Sequence, residues 1–318
     1  GRYFKIQYAV MNKKYCIGID LGGTNLKIAV LNHNCGILSK EILPTQSFPH
    51  KEALIEALVS SVRNKLISQE FGNKISGIGV GVPGPVDYIK GVVHYFPNIP
   101  GWKEVPLKKI LEKKLGLPVA IDNDANVMSL AEYYHGAARG LRHVLCVTLG
   151  TGVGGGLILN GTLYRGAENA AGEIGHLPLN LEGPSCNCGG KACVEVYVGN
   201  HRILARARRI YKKDITLEEL SVRANKGDRR ARDIWRNAGI QLGTVFAGAV
   251  NLLNLDAIVI GGGMANAGEV LFKSIRQTIT SRAMQVQAKR VRICKAKLGS
   301  NAGIIGAAIL AAEATQRF

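Results

Sequence analysis

Tyr15-Cys-Ile-Gly-Ile-Asp-Leu-Gly-Gly-Thr-Asn-Leu-Lys-Ile-Ala-Val-Leu31 is the stretch on which the fold turns. Tyr15 to Asp20 is apolar and β-favouring, Gly22-Gly23-Thr24 makes a tight turn, and Leu26 to Leu31 returns as a second strand. After Asn32-His33-Asn34 a third strand is expected from Gly36 to Glu41. The glycine turn therefore joins strand to strand, whereas a dinucleotide fingerprint joins strand to helix. The Walker pattern Gly-x-x-x-x-Gly-Lys-Ser/Thr is absent.

Outward from this hairpin, Leu54, Leu58, Val62 and Leu66 recur on a helical period. Ile75 to Val80 reads as a buried strand, closed by Val82-Pro83-Gly84-Pro85, where the prolines end regular pairing. A basic helix from Val105 to Leu115 precedes a strand at Pro118 to Ile121. The second half repeats the opening. His143 to Leu149 is a strand, Gly150-Thr151-Gly152-Val-Gly154 the turn, Gly155 to Leu159 the return, and Thr162 to Tyr164 a short third strand. A helical stretch from Thr216 to Asn254, a strand at Ala257 to Ile260, the turn Gly261-Gly262-Gly263, a helix at Ala267 to Arg282 and a strand at Val291 to Cys294 follow. The last apolar helix, Asn301 to Ala314, carries Gly303, Gly306, Ala307 and Ala308, which suit close packing. The pattern predicts an α/β chain of two similar domains around a cleft. One spans 11–122 and is closed by 301–318; the other spans 123–300.

With 318 residues, 47% hydrophobic residues and 39 glycines, the composition suits a folded α/β enzyme. No apolar run reaches the ~18 residues of a spanning helix, and no signal peptide opens the chain. Cys16, Cys35, Cys146 and Cys294 stand singly in apolar segments, so the expected setting is the cytoplasm. Met11-Asn-Lys-Lys reads as a natural start, and residues 1–10 are given no role. The net charge of +18 comes largely from helix-like segments at Lys103 to Lys114, Arg202 to Lys213 and Arg223 to Arg236. These segments read as solvated helix faces, and neither nucleic acid nor membrane is an expected partner.

Three features carry chemistry. Asp20, Gly22, Gly23 and Thr24 suit a phosphate: glycines let backbone N–H groups approach an anion, Thr24 adds a hydroxyl, and Asp20 could hold Mg²⁺ through water. With the turns at Gly150 to Gly154 and Gly261 to Gly263, three glycine loops could cradle a nucleotide's phosphates. Asp122-Asn123-Asp124-Ala-Asn126 reads either as a helix N-cap or as a general base at a strand end. The third feature is Gly172-Glu173-Ile-Gly-His176, followed by Cys186-Asn-Cys188 and Cys193-Val-Glu195. One imidazole and three thiols suffice for a closed tetrahedral zinc site, which is structural rather than catalytic. The interleaved Glu173 and Glu195 are then the carboxylates the loop would position.

Taken together in this order, these elements resemble the ROK family of sugar kinases, repressors and open reading frames, within the actin-like ATPase superfamily. The resemblance covers the chain from about Lys14 onward. It implies two actin-like (ribonuclease H-like) domains around a cleft, and ATP-dependent phosphorylation of a hexose 6-hydroxyl, with glucose first. N-acylmannosamine, N-acetylglucosamine, mannose, allose and fructose kinases share the framework. By this resemblance Asp124 looks like the catalytic base, and Gly84, Asn98, Asn123, Glu173, His176 and Glu195 like sugar ligands. His176 would also ligate a structural Zn²⁺ with Cys186, Cys188 and Cys193. Asp20, Gly22, Gly23 and Thr24 would serve Mg²⁺ and the γ-phosphate, with Gly150, Thr151, Gly152, Gly261, Gly262 and Gly263 on the nucleotide. A homodimer is implied as well. The chain departs from the family at Gly189-Gly-Lys-Ala192-Cys193, where Ala192 stands in place of a glycine. The family's repressors carry a helix-turn-helix domain ahead of the first phosphate motif, and Asp20 lies so near the start that a repressor is not expected.

Overall fold

In the computed structural model, which describes residues 15–67, 71–96, 99 and 101–315, the opening hairpin forms as its pattern dictates. Residues 1–14, with the start expected at Met11, and the expected sugar ligand Asn98 lie outside the described residues. Strands β1 (Tyr15–Leu21) and β2 (Asn25–Leu31) pair antiparallel with Leu21 opposite Leu26. Strand β3 (Ile37–Pro44) continues past Glu41, because Ile42 and Leu43 still pair with Lys27 and Leu26. After α1 (Lys51–Ile67), β4 (Ile75–Val82) returns parallel to β1. A small antiparallel sheet, β5 (Val86–Asp87), β6 (Val92–Tyr95) and β7 (Lys103–Val105), then leads to α2 (Leu107–Leu115) and β8 (Val119–Asn123). The main sheet has the order β3-β2-β1-β4-β8. From the end of β8 the chain runs directly into α3 (Asp124–His135).

The same order recurs with new residues. Strands β9 (Val144–Leu149), β10 (Val153–Leu159) and β11 (Thr162–Tyr164) form an antiparallel meander. Helices α4 (Glu195–Val198), α5 (Asn200–Tyr211), α6 (Leu217–Asn225) and α7 (Arg229–Leu253) follow. Strand β12 (Ala257–Gly261), helices α8 (Glu269–Arg282) and α9 (Gln285–Arg290), and strand β13 (Arg292–Lys295) complete a sheet of order β11-β10-β9-β12-β13. The single helical stretch expected from Thr216 to Asn254 is two helices. Gly227 takes φ +98°, and the Asp228 carboxylate accepts from the amides of Arg230 and Ala231. A left-handed glycine followed by an Asp N-cap is a stop and a start. Among the described residues no helix is long and apolar enough to cross a membrane.

The chain divides into two compact units. One holds β1 through Ala131, Gly166–Ala170 and the stretch from Ser300 through α10 (Ala302–Thr315); the other holds Glu132–Arg165 and Ala171–Gly299. The first crossing falls inside α3, after Ala131. Glu132, on the far side of that crossing, is fully buried. Its carboxylate accepts backbone N–H groups from Ala137 (2.7 Å), Lys297 (3.0 Å) and Leu298 (2.8 Å). A buried carboxylate is tolerable only with such partners.

Helix α10 seals the first unit's sheet at backbone distance. A Cβ at Gly18 of β1 would lie 2.0 Å from the Ile304 carbonyl oxygen, and one at Gly79 of β4 would lie 1.8 Å from that of Ala307. On the helix side, a Cβ at Gly303 would lie 2.5 Å from Asp20 Cγ, and one at Gly306 would lie 1.8 Å from the Val127 carbonyl oxygen. Gly79→Ala places a methyl against main chain that cannot rotate away. Its expected cost is about 3 kcal/mol or more, at the upper end for overpacking. Urea unfolding checks this, and a wild-type midpoint would show that the helix lifts off without cost.

Candidate active site

Asp20, next to last in β1, lies opposite Lys27 of β2. Lys27 Nζ donates to Asp20 Oδ2 at 2.9 Å and to the Ser300 carbonyl at 3.1 Å. The neighbouring Gly22–Thr24 turn is braced by the buried Thr45, whose hydroxyl donates to Gly22 O (2.8 Å) and whose amide donates to Thr24 O (2.8 Å). Thr24 itself is exposed. Neither Lys27 nor Thr45 was expected at this site. Lys27 could have been found by counting the hairpin register, because Asp20 and Lys27 are directly opposed; Thr45 carries no such signal.

The polar run after β8 separates into two pairs. Asp122 and Asn126 are buried, with Asn126 Nδ2 donating to Asp122 Oδ1 at 2.9 Å. Asn123 and Asp124 are half-buried. Both of their side-chain Oδ1 atoms accept the Ala125 amide, at 2.9 and 2.8 Å, which caps α3 and puts negative charge at its positive end. Asn123 Nδ2 donates to the Gly84 carbonyl at 3.0 Å, so the structure brings Gly84 and Asn123 together. Gly84 must be glycine: its φ is +86°, and a Cβ there would lie 2.6 Å from Tyr95 O.

In the second unit, Gly172 (φ +91°) and Gly175 let the Glu173 loop lie directly on β10. Cβ atoms there would fall 2.8 Å from Gly155 O and 2.0 Å from Val153 O. A 3₁₀ turn over Ile174–His176 follows. Glu195 opens α4 and accepts the Val153 amide at 2.8 Å, so its carboxylate leans on the Gly150–Gly152 turn. Burial pushes the Glu173 carboxyl up from its ordinary range; His176 opposes this and the nearby Glu195 adds to it. Gly262, with φ +84° and a would-be Cβ 2.2 Å from Leu149 O, is glycine for packing. Gly150 and Gly263 differ, because a Cβ at either would meet nothing within 4 Å. Their missing side chains leave backbone open to a ligand.

The donor set of the third motif comes together as its spacing suggests. One ligand atom each from His176, Cys186, Cys188 and Cys193 lies within 4.8 Å of the others. Cys188 Sγ and Cys193 Sγ are 3.6 Å apart, and Cys186 Sγ is 3.6 Å from His176 Nδ1. A tetrahedron with ~2.3 Å metal–sulfur bonds has edges of about 3.8 Å, so the cage fits a zinc-sized cation. Burial together with the neighbouring sulfurs holds the Cys193 thiol up to about 12, a charge problem that a cation resolves. His176 Nε2 lies 3.8 Å from Glu173 Oε2, so one imidazole faces the thiols with Nδ1 and the carboxylate with Nε2. Ala192 takes φ +55°, the left-handed conformation that a glycine adopts freely. The strain of about 1–2 kcal/mol is largely offset by burying its methyl, worth roughly 0.8 kcal/mol, and by a less flexible unfolded chain, worth about 0.4–1 kcal/mol. The departure from the family glycine is therefore affordable and the loop path is kept.

Residues 16–314 match the ROK family. A glucokinase from Halalkalibacterium halodurans is 35% identical over 313 residues, covering 93% of this chain and 94% of that protein. The crystal structure of a ROK hexokinase from Thermus thermophilus superposes with a TM-score of 0.81 at 32% identity, covering 96% of this chain and 100% of that one. A ROK family glucokinase from Streptomyces griseus, solved with glucose and AMPPNP, gives a TM-score of 0.81 at 31% identity, covering 94% and 99%. The chain belongs to the ROK family. Within that family it is a glucokinase-like sugar kinase.

A Cβ at Gly152 would lie 2.3 Å from Glu195 Oε2, the far end of a flexible side chain. Gly152→Ala should therefore leave the fold intact and displace Glu195, losing a charged hydrogen bond worth about 1.5–3 kcal/mol. The expected readout is a hexose kcat/KM lower by roughly tenfold or more, with an unchanged circular dichroism spectrum. Unaltered kinetics would show that the position of Glu195 does not matter.

Proposed function

We propose that this protein transfers the γ-phosphoryl group of ATP to the 6-hydroxyl of glucose, ATP + glucose → ADP + glucose 6-phosphate, with Asp124 as general base. The observation that carries this reading is the half-buried carboxylate of Asp124 at the head of α3, beside an Asn123 oriented by Gly84. A carboxylate is a far weaker base than the alkoxide that full loss of the hydroxyl proton would leave. It acts as the proton leaves, when the phosphoryl group has already begun to depart. Asn123, Glu173, His176 and Glu195 would hold the sugar hydroxyls, and Asn98 is proposed with them.

On the nucleotide side, the amides of the Gly22–Thr24, Gly150–Gly152 and Gly261–Gly263 turns are suited to phosphate oxygens. Asp20, whose Oδ2 is already taken by Lys27, would hold Mg²⁺ through water rather than directly. That ion supplies charge neutralisation at the phosphates when bound. Zn²⁺ at His176, Cys186, Cys188 and Cys193 would be structural, clamping the loop that carries Glu173 and orienting the imidazole toward it. The protein is proposed to act in the cytoplasm, where its free cysteines would remain reduced, and as a homodimer.

Asp124→Asn is expected to keep fold and metal content while kcat falls by about two to four orders of magnitude. Near-normal turnover from folded variant would remove Asp124 from the role of base. Elemental analysis of the wild type should find one zinc per chain. Cys188→Ser should lose that zinc and raise the hexose KM more than it lowers kcat, since the sugar ligands are misplaced rather than removed. A zinc-free wild type with normal sugar binding in the variant would end the clamp reading. Sugar choice is tested by coupled ADP release over a panel of hexoses at several concentrations. Glucose should give the highest kcat/KM, and equal efficiency on N-acetylmannosamine would overturn that choice.

A further inference from the structure

The polar run between β8 and α3 holds a buried pair that the proposed reaction leaves without a task. Asp122 is 2% exposed and Asn126 3%. Asp122 Oδ1 accepts the Asn123 amide at 2.8 Å and Asn126 Nδ2 at 2.9 Å. A carboxylate needs such donors to be buried at all. The carboxamide is in a different position. Its Oδ1 is buried without a partner among the described residues. It cannot exchange its two ends, because an ionised carboxylate only accepts and so requires the nitrogen. An unmet buried acceptor lowers stability, and two apolar residues would fill the same space without that cost.

Helix capping does not account for the pair, since the Ala125 amide is already taken by Asn123 Oδ1 and Asp124 Oδ1. Ser129, buried in the same helix, is a self-contained polar group: its hydroxyl donates to the Ala125 carbonyl at 2.6 Å. The Asp122–Asn126 bond instead crosses an element boundary. Strand β8 ends at Asn123 and α3 begins at Asp124, with no residue between them. Asp122 stands on the strand side and Asn126 on the helix side. Their hydrogen bond is therefore a strut across the corner from which Asn123 and Asp124 project. On the strand side the same Oδ1 also holds the peptide leading into Asn123, whose Nδ2 is held in turn by the Gly84 carbonyl at 3.0 Å.

We propose that Asp122 and Asn126 are positioning residues for phosphoryl transfer. Their hydrogen bond sets the angle between β8 and α3, and through it the direction in which the Asp124 carboxylate meets the acceptor hydroxyl. Buried behind the corner, they touch no substrate and act through Asp124 and Asn123. The stability given up at the bare Asn126 acceptor is exchanged for a corner of one shape. A reacting group displaced by about 1 Å loses up to a hundredfold in rate, so this strut matters more to turnover than to folding. The inference rests on Asp124 acting as the general base.

A double-mutant cycle with Asp124→Asn, followed by coupled ADP release on the full chain, tests it. Asn126→Leu, close to Asn in shape, should keep the circular dichroism spectrum and lower kcat by roughly 30- to 100-fold. The KM for ATP should change by less than about threefold. Asn126→Ala should behave in the same way. On an Asp124→Asn background, Asn126→Leu should lower kcat by no more than about twofold, because a missing base cannot be misdirected. Ser129→Ala, which removes a buried hydroxyl from the same helix, should keep kcat within about threefold of wild type. Wild-type kcat from folded Asn126→Leu, beside an inactive Asp124→Asn, would overturn the strut and leave the base standing. A loss repeated in full on the Asp124→Asn background would show that the pair only holds the fold together, as would failure of both Asn126 variants to fold; either result overturns the inference. Normal turnover from Asp124→Asn alone would remove the base, and the strut's role with it.

Discussion

Two carbonyl oxygens, those of Ile304 and Ala307, occupy the space where residues 18 and 79 would carry their Cβ atoms. This contact of helix backbone with sheet backbone is the constraint on which the first unit is built. Helix α10 lies against β1 and β4, and its own glycines then touch the two elements that bear the candidate chemistry. Gly303 abuts Asp20, and Gly306 abuts the main chain of α3, the helix that opens with Asp124. Lys27 adds a further tie, bridging Asp20 to the carbonyl just ahead of the helix. The spacing between Asp20 and the candidate base Asp124 is thus set by close-packed main chain, which deforms far less than side chains do.

The second unit uses the same device for a different end. Gly172 and Gly175 press the Glu173 loop onto β10, and Gly262 presses the third glycine turn onto the end of β9. The far end of the Glu173 loop is gathered by one imidazole and three thiols. Between these anchorages stand Glu173, His176 and Glu195, and the amide of Val153 ties Glu195 to the neighbouring turn. The proposed sugar ligand Glu195 and the glycine turn proposed for phosphate are therefore not independent parts. A shift in the Gly150–Gly152 turn is felt directly by the carboxylate of Glu195.

Much of this was legible in the sequence because glycine and alternation speak plainly. The two hairpins, the parallel strands and the last helix are punctuated by residues with few other uses, and the Cys spacing with its histidine announces a cage. What escaped was contact between residues far apart in the chain or strands too short to carry a period. Strands β5 and β7 are two and three residues long, below the length at which alternation can be seen. Glu132 looks like an ordinary helix-surface carboxylate, and only the folded chain reveals that its partners include residues 297 and 298. In the run Asp122 to Asn126 the sequence offered four polar side chains without distinction, and burial divided them into an inner pair and a half-exposed pair. The break between α6 and α7 was written in Gly227-Asp228, yet uninterrupted helical periodicity on either side concealed it.

The return of α10 to the sheet that begins the chain also bears on synthesis. A ribosome delivers β1 through β8 early, but the glycine-lined face of that sheet stays uncovered until residues 302–315 emerge. The intervening unit, bounded by Glu132 and Gly299, has every one of its own strands before that moment. Of these two units, the one whose strands come first is completed by the later helix, and its apolar strands wait, exposed, while the other unit is made.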